Sequence, residues 1–203
     1  MRLAVRPDLL DLSLNEVETL AQKAARGAGL PWGAAEDAGR SAAWMARHVG
    51  AWAEPLLTLL ESPPPAALSP LLLAGQLADG AVAAAARVVQ PLWLLPGLLA
   101  GPGRCNPVAL RLGEAEIRCN PDETPSATLP AAALAALPAV PVAVRLGEGR
   151  LPGLPYDLPA RFRRSAVPVA AWERLQALAA RTYVPASLES RLRGAGAGLL
   201  DDE

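Results

Sequence analysis

Two short segments of this chain combine a fixed positive charge with glycines, a combination that suits the binding of a small anion. The first is Arg26-Gly27-Ala28-Gly29, and the second is Arg193-Gly194-Ala195-Gly196. Glycine lets a backbone turn tightly so that its N–H groups can point at one anion, and arginine stays charged at any physiological pH. Each segment also follows a stretch with helical character, and helices commonly end at glycine. The pattern therefore predicts either an anion site or two ordinary helix ends.

Neither segment matches a nucleotide-binding loop, because both follow a helix rather than a strand and the chain has no Gly-Lys-Ser/Thr. The anion hypothesis requires the two segments to meet in space, with Lys23 and the hydroxyl of Tyr183 beside them. The residues predicted to bind the ligand are Arg26, Gly27, Gly29, Tyr183, Arg193, Gly194 and Gly196.

The acid–base candidates are Glu36, His48 and Lys23. Imidazole exchanges a proton near neutral pH, a carboxylate can act as a general base, and a lysine amine can clamp an anion or form an imine. Asp37 shares a helical stripe with His48, but the two lie eleven positions apart, about 16 Å along a helix, too far for a relay. A solvated or helix-capping role is the alternative for His48, and the helix dipole alone accounts for Glu36 near a helix start. The catalytic residues stay unknown at this point.

The cysteine and histidine content predicts no metal site and indicates no particular cofactor. Cys105 and Cys119, together with the single histidine, fall short of a zinc ligand set. We interpret both cysteines as small apolar residues that bracket a hairpin.

Length and charge limit the class of protein. A chain of 203 residues with 52% hydrophobic content can form a single domain, 1–203, around a sizeable core. The net charge of −1 provides no general attraction to nucleic acid. Eighteen arginines against one lysine are typical of a GC-rich bacterial genome.

The apolar content raises the question of a membrane partner. The N-terminus has no apolar signal segment, which predicts a cytoplasmic protein. Residues 81–100 have the length of a membrane span, but they contain Arg87, Gln90, Pro91 and Pro96. Buried strands and turns are favoured there, and membrane association is the alternative.

Helical patterns dominate 13–80. Ser13-Leu14-Asn15-Glu16 predicts a capping box, a helix to about Arg26, and Gly27 as its left-handed terminator. A second helix is expected over about 34–49, where Gly39 and alanines allow close packing. Further helices are expected near 54–61 and 69–79, the latter capped by Ser69.

Strand patterns dominate 81–166. Residues 108–112 and 115–119 alternate as a β-hairpin around Gly113-Glu114. A strand over 140–146 contains Pro141, which suggests an edge position. A short strand over 160–166, a helix over about 169–183 and a glycine-rich tail complete 167–203. This order predicts an α+β fold, rich in helix, with a small, mostly antiparallel sheet in the middle of the chain.

The two ends of the chain resemble an uncharacterised bacterial family, a domain of unknown function. The resemblance lies in Ser13–Glu18, Lys23–Gly29, Trp32-Gly33, Ala35–Gly39, Arg181–Ser187 and Gly194–Glu203. It implies no reaction, cofactor or catalytic residue.

Two functions remain open from the sequence. The first is a small enzyme, or a subunit of one, that binds a small anionic metabolite between the two Arg-Gly-Ala-Gly segments. The alternative is a non-catalytic interaction or assembly protein of a metabolic complex, or a homo-oligomer, in which alanine-rich helices and five tryptophans supply interfaces.

Overall fold

Helices and two antiparallel sheets share one hydrophobic core in the computed structural model, which describes residues 8–79, 84–101, 103, 105–147 and 149–182. The helices are α1 Leu14–Gly27, α2 Trp32–His48, α3 Ala53–Glu61, α4 Pro70–Ala78, α5 Leu95–Ala100, α6 Ala131–Ala135 and α7 Val169–Ala180. The strands are β1 Leu9–Ser13, β2 Ala84–Val88, β3 Val108–Leu112, β4 Ala115–Cys119, β5 Ser126–Ala127, β6 Val140–Leu146, β7 Tyr156–Asp157 and β8 Arg164–Pro168. The α+β class is confirmed.

Helix α1 begins as predicted but ends differently. The Ser13 N–H donates to Glu16 Oε2 at 2.7 Å, and the Glu16 N–H donates to Ser13 Oγ at 3.3 Å, which is the capping box. Gly27 is still helical, and the left-handed residue is Gly29, with φ +97°. The Gly29 N–H donates to the Arg26 carbonyl and the Leu30 N–H to the Ala25 carbonyl, a Schellman motif. The prediction that Gly27 terminates the helix is therefore wrong.

Gly27 instead allows two helices to touch. A Cβ atom at Gly27 would lie 1.7 Å from the Leu178 carbonyl oxygen of α7. Gly39 of α2 plays a similar part against α1, since its Cβ would lie 2.8 Å from the Glu18 carbonyl oxygen. The close packing predicted for Gly39 is confirmed, and α1 packs between α2 and α7.

The six-stranded sheet has the order β2-β6-β3-β4-β5-β7. The predicted hairpin is β3–β4, in which Arg111 pairs with Glu116 and Gly113 has φ +61°. The edge position suggested by Pro141 is wrong, because β6 pairs with both β2 and β3. Pro141 is tolerated because the β2–β6 register shifts between Ala85 and Val88, opposite it.

A two-stranded sheet that the pattern does not predict joins distant parts of the chain. β1 pairs antiparallel with β8, and Arg164 Nε lies 2.6 Å from Asp11 Oδ2 across the pair. The strand expected over 160–166 starts only at Arg164. Because β1 runs directly into α1 and β8 directly into α7, this pairing places the two helices side by side.

The apolar stretch 81–100 forms a strand, a 3₁₀ turn at Pro91–Leu94 and the short α5 where it is described. Among the described residues, no helix has the length and apolar character needed to cross a membrane. The side chains of the 3₁₀ turn are buried in the core instead.

Candidate functional site

A cleft of about 500 Å³ lies where α1 and α7 end and α2 begins. It is lined by Gln22, Lys23, Arg26, Gly27, Trp32, Arg181 and Thr182. Its volume falls within the range of small-molecule sites. Three of the side chains are cationic, and no carboxylate is among the described residues that line it. The cleft therefore favours an anion.

The helix geometry places these side chains together. Gln22 and Arg26 are four residues apart on α1 and so lie on the same side of the helix. Gly27 lets the end of α7 come against α1, which carries Arg181 and Thr182 to the same place. The charges of two helices thus converge although 155 positions separate Arg26 from Arg181 in the chain.

Arg26 connects α1 to the start of α2. Its Nη1 donates to the Leu30 carbonyl, and its guanidinium carbon lies 4.6 Å from the centre of the Trp32 ring, a cation–π contact. Guanidinium has five N–H donors, so donors remain for an oxyanion after the bond to Leu30. Arg26 is partly buried, which holds the charge at the wall of the cleft.

The first turn of α2 adds a smaller positive contribution. Pro31 precedes the helix and makes no side-chain capping bond. The Ala35 N–H already bonds to the Pro31 carbonyl, which leaves the N–H groups of Trp32, Gly33 and Ala34 without an intrahelical partner. The positive end of the α2 dipole therefore lies at Trp32, whereas α1 and α7 direct their negative ends to the same cleft, where Arg26 and Arg181 offset them.

The structure brings some of the predicted ligand-binding residues together. Lys23, Arg26 and Gly27 line the cleft. Gly29 forms the turn that follows α1, where a Cβ would meet nothing within 4 Å. Tyr183, Arg193, Gly194 and Gly196 lie outside the described residues, so the meeting of the two glycine segments stays a prediction.

Glu36 is exposed on α2, one turn after Trp32 and on the same side of the helix. The α2 helix begins at Trp32, earlier than predicted, so Glu36 does not lie in its first turn. Its neighbour Asp37 is paired with Arg40 at 2.6 Å. Of the acid–base candidates, Lys23 lines the cleft and Glu36 does not.

His48 lies at the opposite end of α2, about 24 Å from Trp32 along the helix axis. Its Nδ1 is 2.9 Å from the Leu158 carbonyl oxygen, so Nδ1 must carry the proton. The ring stacks on Trp44 with centroids 4.3 Å apart. Burial lowers the pKa of His48, which favours the neutral ring despite its carbonyl contacts. The structure thus separates His48 from the cleft.

Four cleft residues were not singled out as ligand-binding by the sequence: Gln22, Trp32, Arg181 and Thr182. Gln22 could have been found from its spacing to Arg26 on one helical face. Arg181 could not, because only the tertiary contact between α1 and α7 brings it to the cleft.

A second groove, of about 570 Å³, runs along α1 between β1 and α7. Its lining includes Asn15, Glu16, Lys23, Trp172 and Gln176. Glu16 is already engaged in the capping box, where hydrogen bonds to Ser13 lower its pKa. The groove is of mixed charge, and it meets the cationic cleft at Lys23.

The described residues contain no group of three or more His, Cys, Asp or Glu side chains placed to hold a metal ion. Cys105 is exposed and Cys119 is buried, and neither forms a disulfide. Burial raises the pKa of Cys119 to about 12, so its sulfur remains a thiol within β4.

Residues 12–53 match the model of a family described as Protein of unknown function (DUF3726). The match confirms the resemblance over α1 and α2, and the resemblance of 181–203 stays a prediction. Five of the seven cleft residues, all except Arg181 and Thr182, fall within the matched region. We found no match to a curated protein or to a solved structure.

Proposed function

We propose that the protein binds a small anionic metabolite in the cleft between α1, α2 and α7. The observation that carries the proposal is the convergence of Lys23, Arg26 and Arg181 on one cleft whose described lining contains no carboxylate. An anion that enters the cleft gains charge-assisted hydrogen bonds from the guanidinium groups of its wall.

The proposal covers binding rather than a reaction. Histidine, the usual general base, is held at the other end of α2 by its bond to Leu158. Tyr183 is the residue after Thr182 in the chain, and Arg193, Gly194 and Gly196 follow it. We propose that these residues complete the site from the C-terminal side.

We place this activity in the bacterial cytoplasm. The unbridged cysteines and the preference for arginine over lysine support that setting. Recovery of the full chain with the membrane fraction, rather than with the cytosol, would contradict it.

The test is a ligand-dependent thermal shift of the full chain at low ionic strength with phosphate, sulfate and small dicarboxylates. An anion at one hundred times its Kd should raise the stability by about 2.7 kcal/mol. Arg181→Gln and Arg26→Gln should each weaken binding about tenfold or more, because each removes a charge-assisted hydrogen bond. Arg181→Gln is the cleaner test of binding, since Arg26 also donates a hydrogen bond to the Leu30 carbonyl and its loss would affect the fold.

The matched control is Arg163→Gln, which removes the same charge from an exposed position after β7. Equal losses in the control and in the cleft variants would show non-specific attraction and overturn the site. A chain that responds to no anion but elutes with a second protein would favour the assembly alternative.

A further inference from the structure

Trp32 is the most exposed of the large hydrophobic residues described, at 65% of its surface. Trp52 and Trp93 are each 1% exposed, and Trp44 and Trp172 pack against the core. Leaving an indole in water forgoes the free energy that its burial would provide. Trp32 is therefore little used by the fold, although it stands in the wall of a cleft.

One face of the Trp32 ring is free. The Arg26 guanidinium lies over the other face, 4.6 Å from the ring centre, and a flat ring covered on one face can reach 65% exposure only if the opposite face is open.

The volume of the cleft and the electronic character of its wall limit the class of ligand that can bind. Its volume of about 500 Å³ is far larger than a bare phosphate or sulfate needs. The indole face is rich in electrons, so it favours a stacked ring that is poor in them. Lys23, Arg26 and Arg181 supply the positive charge nearby.

We propose that the ligand of this cleft is a heteroaromatic anion whose ring stacks on the open face of Trp32 and whose anionic group is carried on a linker that passes the edge of the indole to reach the cations of the cleft. This inference rests on the proposed function and narrows the ligand class. A phosphate carried on a sugar, as in a nucleotide, meets this requirement, whereas a carboxylate attached directly to the ring does not. Stacking of a base on an aromatic side chain strengthens binding by about tenfold or more.

The test compares a ring-bearing ligand with a partner that keeps the anion and loses the ring. Adenosine monophosphate is paired with ribose 5-phosphate on the full chain by calorimetry. In the wild type, adenosine monophosphate should bind about tenfold or more tightly than ribose 5-phosphate.

Trp32→Ala should abolish that advantage, so that the ring-bearing and ring-less ligands bind equally, and Trp32→Phe should retain part of it. The ring-bearing ligand should also quench tryptophan fluorescence in the wild type and less in Trp32→Ala. If ring-bearing and ring-less ligands bind equally, or if Trp32→Ala keeps the difference, the stacking is wrong and the anion site stands. If neither ligand binds but phosphate, sulfate or a dicarboxylate still stabilises the chain, only the stacking inference fails; if those anions fail too, the proposed function fails as well.

Discussion

The two ends of α2 carry residues of similar chemical type in opposite situations. At the C-terminal end, His48 stacks on Trp44 and bonds to Leu158, and the Arg47 carbonyl accepts from the N–H groups of Arg161 and Phe162. At the N-terminal end, Trp32 is exposed and no side chain caps the helix. The difference teaches that residue type alone does not identify a site. Hydrogen-bonding groups and aromatic surface that the fold leaves unused identify a site better.

Gly27→Ala should have the largest effect on stability, and it should disrupt the packing at the cleft. Its new methyl group would lie 1.7 Å from the Leu178 carbonyl oxygen, so α1 and α7 must separate. We expect a loss of about 3 kcal/mol in the free energy of unfolding, measured in urea, together with loss of anion binding. The contacts at the His48 end should persist in spectra of the folded variant.

Gly33→Ala and Gly29→Ala are the matched controls, since neither new Cβ meets an atom within 4 Å. Gly33→Ala should be neutral or slightly stabilising within α2, and Gly29→Ala should cost about 1 kcal/mol because its φ is +97°. A Gly27→Ala protein as stable as Gly33→Ala would show that the two helix backbones do not touch.

Trp44→Ala and Trp32→Ala test the comparison with one residue type. Trp44 packs on the core and on His48, so its removal should cost about 2 kcal/mol, less than for a fully buried tryptophan. Trp32 is mostly in water, so its removal should change stability by only about 0.5 kcal/mol or less. Urea unfolding of the two variants side by side measures both values. Equal losses would mean that Trp32 serves the fold rather than a ligand.

Local patterns predicted the elements whose causes are local. The capping box of α1 depends on four consecutive residues, and the β3–β4 hairpin on its own alternation, so both could be read from the sequence. Helix α2 was found for the same reason. The terminator of α1 was misplaced because two nearby glycines, Gly27 and Gly29, serve different purposes that sequence alone does not separate.

Long-range contacts account for what the sequence did not predict. β1 forms only because β8, more than 150 residues away, pairs with it. The edge position predicted from Pro141 was wrong because the bulge that accommodates this proline lies in another strand, β2. In the cleft, Lys23 and Arg26 were found from their types, whereas Arg181 needed the approach of α7 and Trp32 needed its exposure.

The pH dependence of stability gives the smallest effect and tests the His48 end alone. Burial lowers the pKa of His48 below the usual 6.5, so the unfolded chain takes up this proton more readily than the folded one. Above pH 6.5 the ring is neutral in both the folded and the unfolded chain, so His48 causes no loss of stability. As the pH falls below 6.5, stability should decline until the folded pKa is passed, and then the decline from this residue should stop.

His48→Asn should remove that decline while keeping an amide donor near the position of Nδ1 for the Leu158 carbonyl. The measurement is the urea midpoint of both proteins between pH 7.5 and about 5, taken as a difference. Hydrogen bonds also lower the pKa values of three carboxylates, Glu16, Glu61 and Glu123. The stability that they contribute is lost at lower pH, but this loss is equal in both proteins. A constant difference across the range would mean that His48 titrates freely in the folded chain, in which case the two ends of α2 would be equally available for chemistry.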